Sequence, residues 1–334
     1  MADARGTLML LDSASLYFRA FYGVPESVRA PDGSPVNAVR GLLDMIARLV
    51  ADHRPERLVA CWDEDWRPAF RVAAIPSYKA HRVVGGAEAA AASDGESPAA
   101  EEVPDALAPQ VPVIAEVLAA LGIARAGAVG YEADDVIGTL TAREVASGSG
   151  APVLVVTGDR DLFQLVDDAA PVRVLYTIRG IKDIEVVDAA RLQERYAVAS
   201  GPAYADMAVL RGDPSDGLPG VQGIGEKTAA TLLARYGDLD ALLAARDAGD
   251  PGLTATQRRR LLEAEDYLAV APGVVRVAPD APVRLAGAGA GSAPDPEAFR
   301  LPREPADPEA LVDLTARWGL ESSVRRVLAA LAHR

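Results

Sequence analysis

Aspartates dominate the residues of this chain that could do chemistry, and several stand where ordinary surface acids would not. Three short apolar runs, Thr7 to Leu11, Arg57 to Trp62 and Pro152 to Thr157, lead into Asp12, Asp63 and, after Gly158, Asp159. Asp161 follows two residues later, on the same side as Asp159 if the backbone stays extended. Glu132, Asp134 and Asp135 open a helical pattern, and Asp213 and Asp216 lie further along. An acid in a first helical turn favours the dipole and caps free N–H groups, which explains any one of these residues but not the set. Carboxylates packed together raise one another's pKa and repel, so a cluster of this size calls for cations. Hard oxygen ligands select Mg²⁺ or Mn²⁺ over zinc. Two such ions, roughly 3.5–4 Å apart, are the usual arrangement for in-line displacement at a phosphodiester. His53, His81 and His333 have no metal-ligand spacing, and no Cys–His or Ser–His pairing points to covalent catalysis.

The elements that must position these acids are legible in outline. Continuous apolar runs of strand length suit a parallel sheet covered on both faces. In such a sheet the ligand rim is the carboxyl edge of the strands, where Asp12, Asp63 and Asp159 would converge. Helical patterns lie between the runs over Val36 to Ala51, Val111 to Leu121 (stopped by Gly122) and Ala133 to Val145. The alternation predicts an α/β fold with a mainly parallel sheet flanked by helices. Asp188 to Ala271 reads as mostly helical and predicts a second domain. We place the catalytic domain at 1–180, the helical domain at 181–285, a linker at 286–308 and a C-terminal helical tail at 309–334. An Ala/Gly/Glu/Ser-rich stretch without packing period, about 84–104, reads as mobile or partly helical.

Composition narrows the class. Half of the 334 residues are hydrophobic, yet no run approaches the roughly 20 apolar residues of a membrane span. The N-terminus lacks a secretory pattern, and the lone Cys61 can form no internal disulfide, so a soluble, cytoplasmic protein is expected. A net charge of −14 argues against a generic nucleic-acid binder. Positive charge is nearly all arginine, and of only three lysines two, Lys79 and Lys227, fall inside the motifs below.

Gly212 to Ala229 is the most specific string in the chain. Gly223-Ile224-Gly225, followed by a helix starting near Glu226, resembles a helix–hairpin–helix, with Asp213 and Asp216 just upstream. Its glycines let backbone N–H groups approach a phosphate, the helix N-terminus adds a favourable dipole, and Lys227 can add a contact.

With that string the sequence resembles the 5′ nuclease family: the 5′→3′ exonuclease domain of bacterial DNA polymerase I, phage 5′ exonucleases and, more distantly, flap endonucleases. The motifs run in the family order from about Leu8 to Leu285: Leu11-Asp12 with Tyr17 to Phe21, Trp62-Asp63, Tyr78 to Arg82, Gly130 to Asp135, Thr157 to Leu165 and Gly212 to Ala229. Ser13 stands where the family has glycine, Trp62 where it has phenylalanine, and Gly217 where asparagine is common.

The resemblance implies a PIN-like, Rossmann-like catalytic domain with a mobile gateway segment at about 79–110, and a helical domain with a helix-three-turn-helix at 220–229. It puts Asp12, Asp63, Glu132, Asp134 and Asp135 around a first metal and Asp159, Asp161, Asp213 and Asp216 around a second, with one helix acid shared. By the same resemblance Lys79 and Arg82 grip the scissile phosphate, Arg19 makes another phosphate contact and Tyr78 stacks on an unpaired terminal base. Gly223, Gly225, Lys227 and Thr228 hold the duplex backbone, with a K⁺ ion. The implied enzyme is a free-standing, monomeric, Mg²⁺- or Mn²⁺-dependent 5′→3′ exonuclease and 5′-flap endonuclease acting on DNA with 5′ ends, flaps or nicks. RNA–DNA hybrids are a further substrate. It would leave 5′-phosphate and 3′-hydroxyl ends in replication and repair, alongside a polymerase and a ligase. The alternatives are a DNA-binding module that has lost catalysis and a PIN-type ribonuclease, whose chains are much shorter and lack the glycine hairpin.

Overall fold

The computed structural model describes residues 6–85, 101, 103–287 and 294–333. The three apolar runs form strands β1 (Leu8–Asp12), β2 (Arg57–Cys61) and, after β3 (Ala124–Gly127), β4 (Val153–Thr157). With β5 (Val172–Tyr176) they make a parallel array in the order β5-β4-β1-β2-β3. Short antiparallel strands close its two edges, β6 (Glu185–Val187) on β5 and β7 (Arg284–Leu285) on β3. The strand order reverses at β1, which has β2 on one side and β4 on the other. That reversal opens a crevice above the carboxyl ends of β1 and β4.

Both faces are covered, as continuous apolar strands require. Met9, Leu11, Leu58 and Ala60 face one cluster, packed under α1 (Ser13–Gly23), α2 (Asn37–His53) and, after the short α3 (Ala69–Ala74), α4 (Gln110–Leu121). The alternate residues Leu8, Leu10, Val59 and Cys61 face the other, with Val136, Ile137 and Leu140 of α5 (Ala133–Ala146). Helix α4 stops where expected: Gly122, at φ 79°, turns left-handed and its N–H donates back to the Ala119 carbonyl.

The helical domain is built from α6 (Ala189–Tyr196), α7 (Gly201–Arg211), α8 (Glu226–Tyr236), α9 (Leu239–Asp247), α10 (Ala255–Glu263) and α11 (Glu265–Val275). It shares one continuous apolar cluster with the α5 face of the sheet. Phe163 and Tyr176 from the sheet domain interlock with Tyr196 and Tyr204 at ring separations of 5.0–6.1 Å.

The expected segment boundaries shift. A catalytic domain ending at 180 would cut off β6, and a helical domain running to 285 would include β7, yet both strands belong to the sheet. The expected tail is a helical hairpin, α12 (Pro308–Trp318) and α13 (Glu321–Ala332), whose Leu311, Leu320, Val324, Val327 and Leu331 complete the α2 side of the core. Before it the chain is also fastened, because Leu301 N–H donates to the Glu56 carbonyl and Asp307 N–H to that of Ala120. Of the expected linker, residues 288–293 lie outside the described residues, as do residues 86–100 and 102 of the expected gateway. No helix among the described residues is long and apolar enough to cross a membrane.

Candidate active site

The site begins at the crevice. Asp12 ends β1 and caps α1, accepting the Ser15 N–H at 3.1 Å. From the end of the neighbouring β4, the buried Thr157 hydroxyl donates to the other Asp12 oxygen at 2.6 Å and accepts the Asp159 N–H at 2.8 Å. One side chain therefore fixes an acid on each side of the strand reversal. Asp63, two residues beyond β2, accepts the Ala133 N–H at 2.8 Å and so faces the first turn of α5. Glu132 and Asp135 form a capping box at that turn, with Asp134 between them.

Burial and mutual repulsion act on these acids together. Burial pushes Asp12 up to about 7, with Asp63 and Asp159 adding to the rise. Burial takes Asp63 to about 6, helped by Glu132 and Asp135. Asp134 is raised well above the carboxylate range by burial, then by Asp12 and Asp159. Asp161 is raised by burial and then by Asp159, Asp216 and Asp213, and Asp216 is raised by burial. Two groups emerge, one around Asp12, Asp63 and Asp134 and one around Asp161, Asp213 and Asp216. The exposed Asp159 acts on both. Among the described residues no three acids stand close enough to hold an ion as they are. The donor set is nevertheless all hard oxygen, in fields that disfavour its charge, which is the chemistry a divalent cation relieves.

Cations line the same crevice. Lys79 is paired with Glu132 and Arg82 with Asp216 at 2.6 Å. Burial opposes the Lys79 charge, but Glu132 outweighs it and holds the lysine well above its ordinary range. The loop carrying them lies against the helical domain: Lys79 N–H donates to the Asp216 carbonyl at 3.0 Å, and Ser77 Oγ donates to that of Gly217 at 2.7 Å. Gly217 has φ 71°, and a Cβ there would sit 2.0 Å from the Ser77 carbonyl oxygen. Its departure from asparagine thus has a steric reason, the close passage of residues 77–79.

Two expected roles change. Tyr78, expected to stack on a base, is 4 % exposed, and its hydroxyl donates to Glu132 at 2.7 Å. Its ring belongs to the core and presents no face to a strand. Asp135, expected as a metal ligand, is fully buried and accepts four hydrogen bonds: two from Arg71 at 2.7 Å, one from Ala278 N–H at 2.8 Å and one from Glu132 N–H at 3.2 Å. A carboxylate has about four lone-pair positions, so Asp135 has none left for an ion.

Arg19 reaches the rim from α1, donating to the Ile178 carbonyl at 3.2 Å. The glycine hairpin lies in the helical domain. There Gly223, at φ 78°, is exposed, and Gly225 caps α8 with no side-chain hydrogen bond. The first N–H groups of α8 are thus left to an outside acceptor. Lys227 is exposed in that first turn and Thr228 is half-buried beside it.

Sequence reasoning missed Thr157, Arg71 and Glu101. Thr157 is the last apolar-run residue before the Gly-Asp pair and reads only as a strand end. Arg71 is a lone arginine in a short helix. Glu101 comes from the low-complexity stretch, yet burial and then Asp63 raise its pKa, which puts it at the crevice.

Comparison with known proteins bears on this geometry. The family description "5′-3′ exonuclease, N-terminal resolvase-like domain" matches residues 7–197, and "5′-3′ exonuclease, C-terminal SAM fold" matches residues 200–292. A 5′-3′ exonuclease of Streptomyces coelicolor is 62 % identical over 323 residues, covering 97 % of this chain and 99 % of that protein. DNA polymerase I of Mycobacterium bovis is 42 % identical over 241 residues, 72 % of this chain and 24 % of that one. In fold the chain is similar to the bacteriophage T5 flap endonuclease solved as a pseudo-enzyme–product complex with DNA and metal ions. That match has a TM-score of 0.60 at 18 % identity and covers 98 % of this chain and all of that one.

Proposed function

The chain belongs to the 5′-3′ exonuclease family, and from that membership we propose that it is a structure-specific 5′ nuclease with two divalent ions in the crevice. It removes nucleotides from 5′ ends and cuts 5′ flaps of DNA, leaving 5′-phosphate and 3′-hydroxyl ends. The observation that carries this reading is the pair of acidic groups meeting at Asp159 above the β1/β4 reversal, flanked by Lys79 and Arg82.

Asp12, Asp63, Glu132 and Asp134 would hold one Mg²⁺ or Mn²⁺, and Asp159, Asp161, Asp213 and Asp216 the other. When bound, such ions lower the pKa of an attacking water and stabilise the leaving oxygen. The protein's own share is placement. Thr157 orients Asp12 and the Asp159 backbone, and Lys79 and Arg82 offer positive charge to the scissile phosphate. Arg19 is a further phosphate contact. The open N-terminus of α8, with Gly223, Gly225, Lys227 and Thr228, takes the duplex backbone, with K⁺ at the turn. We assign the enzyme to the cytoplasm as a monomer that prepares ends for a polymerase and a ligase in replication and repair, with RNA–DNA hybrids as a second substrate.

The test is incubation with 5′-labelled flap, nicked and blunt duplexes, with Mg²⁺ and with EDTA. Metal-dependent products of defined size support the proposal. Binding without cleavage in any metal would leave a DNA-binding module instead.

A further inference from the structure

Arg71 lies on α3, shares the Glu132 carboxylate with Lys79, and is 3 % exposed in its side chain. Its guanidinium spends four N–H groups on three residues from two elements. Two go to the two oxygens of Asp135, both at 2.7 Å, and one to Glu132 at 2.6 Å, both acids being at the entrance of α5. The Nε–H goes to the Val274 carbonyl at 3.0 Å, in the last turn of α11 in the helical domain. Asp135 in turn accepts the Ala278 N–H, just beyond α11. The rings of Phe70 and Tyr78 lie 5.0 and 5.8 Å from the guanidinium carbon.

We propose that Arg71 is a positioning residue of the nuclease site, which locks the entrance of α5 to the end of α11 so that Asp134 and Glu132 stand at fixed places in the crevice. Asp135 is its partner in that lock. A planar fork makes this possible, since it satisfies both Asp135 oxygens and still reaches Glu132. Lysine would supply the charge as a single point and could not span the three acceptors. The lock also joins the wall of the acidic crevice to the domain that carries the glycine hairpin. The inference rests on the proposed nuclease reading for its kinetic readout only.

The experiment compares Arg71→Lys and Arg71→Met with the wild type. It uses thermal melting, kcat on a nicked duplex, Kd for that duplex by fluorescence anisotropy in EDTA, and Mn²⁺ affinity by electron paramagnetic resonance. In folded Arg71→Lys, kcat is expected to fall at least about tenfold, and in Arg71→Met about 100-fold, the loss that a misplacement of about 1 Å causes. Kd should stay within about threefold of wild type, and Mn²⁺ affinity should fall about tenfold. Wild-type kcat and Mn²⁺ affinity in folded Arg71→Lys would overturn the proposal, because charge alone would then suffice. A Kd that rises in step with the loss of kcat would also overturn it, making Arg71 a binding residue. If Arg71→Met does not fold, Arg71→Lys decides. If the wild type cleaves nothing, the nuclease reading fails alone, and Mn²⁺ affinity in the two variants still tests the lock.

Discussion

Stability without divalent ions should fall as pH rises from 4 to 7, opposite to the usual behaviour of a protein rich in paired carboxylates. An acid whose folded pKa is raised keeps its proton in the folded state after the unfolded chain has lost it. The unfolded state then binds fewer protons, and linkage makes unfolding easier with rising pH across the window between the two values. For Asp12 that window runs from 3.8 to about 7, and for Asp63 from 3.8 to about 6. Acting alone, Asp12 would account for about 4 kcal/mol and Asp63 for about 3 kcal/mol. Counting their mutual repulsion once leaves a fall on the order of 5 kcal/mol, comparable to the whole stability of a modest domain. Asp134, Asp161 and Asp216 add in the same direction. His53 opposes it, because burial lowers its pKa and the neutral ring of the folded state becomes the favoured form as pH rises. Asp32, Glu185 and Asp247, whose pKa values are lowered, oppose it too, but Asp32 and Asp247 are exposed, whereas the half-buried Glu101 joins the raised acids. The assay is the urea midpoint between pH 4.5 and 7.5 in EDTA, repeated with Mg²⁺. The midpoint should drop with pH in EDTA, and Mg²⁺ should restore it far more at pH 7.5 than at pH 5, where protons compete for the same oxygens. A midpoint that is flat or rises in EDTA, or an equal effect of Mg²⁺ at both pH values, would refute the reasoning.

Three further outcomes follow from particular contacts. Thr157→Val keeps the shape of a fully buried side chain but removes the donor to Asp12 and the acceptor for Asp159 N–H, so kcat on a nicked duplex should fall about tenfold or more while stability falls by about 1–3 kcal/mol. An unaltered kcat would show that this bond is dispensable. Gly217→Ala forces a Cβ onto the Ser77 carbonyl and a left-handed backbone onto alanine. A loss of about 1–3 kcal/mol in urea denaturation is expected, and a neutral result would mean residues 77–79 move aside freely. Val327→Asp puts a charge at a position with no exposure, and the melting temperature of the whole chain should drop by the equivalent of about 3 kcal/mol or more. An unchanged melting curve would fit a detached tail and contradict the packing of α13 on α2.

The elements that sequence made legible are those with a strong period or a long apolar run. Strands β1, β2 and β4 and helices α2, α4 and α5 fall where their patterns put them, within a residue or two at each end. Strand β3 is Ala-Arg-Ala-Gly and carries no apolar run; its place comes from pairing with β2, a tertiary fact. Strands β6 and β7 are three and two residues long, too short for periodicity to register. At the site, acids at strand ends were visible because the carboxyl edge of a parallel sheet is where side chains converge. Which acids face the crevice was not. Asp134 and Asp135 are neighbours in the chain, and only Arg71 and Ala278, from distant segments, show that Asp135 is spoken for. Tyr78 was misjudged for the same reason, since a tyrosine beside Lys79 looks solvated until Glu132 is seen to take its hydroxyl.

The helical hairpin that closes the sheet layer also sets an order on biosynthesis. Asp44 on α2 and Arg326 on α13 are bonded at 2.7 Å across 282 residues of chain. A nascent chain can assemble β1 to β5 and the helical domain while the outer face of α2 is still open to water. That face is covered only when residues 321–332 leave the ribosome. A translation product that stops short of them carries the crevice acids on a scaffold with an uncovered apolar flank, the feature chaperones and proteases recognise.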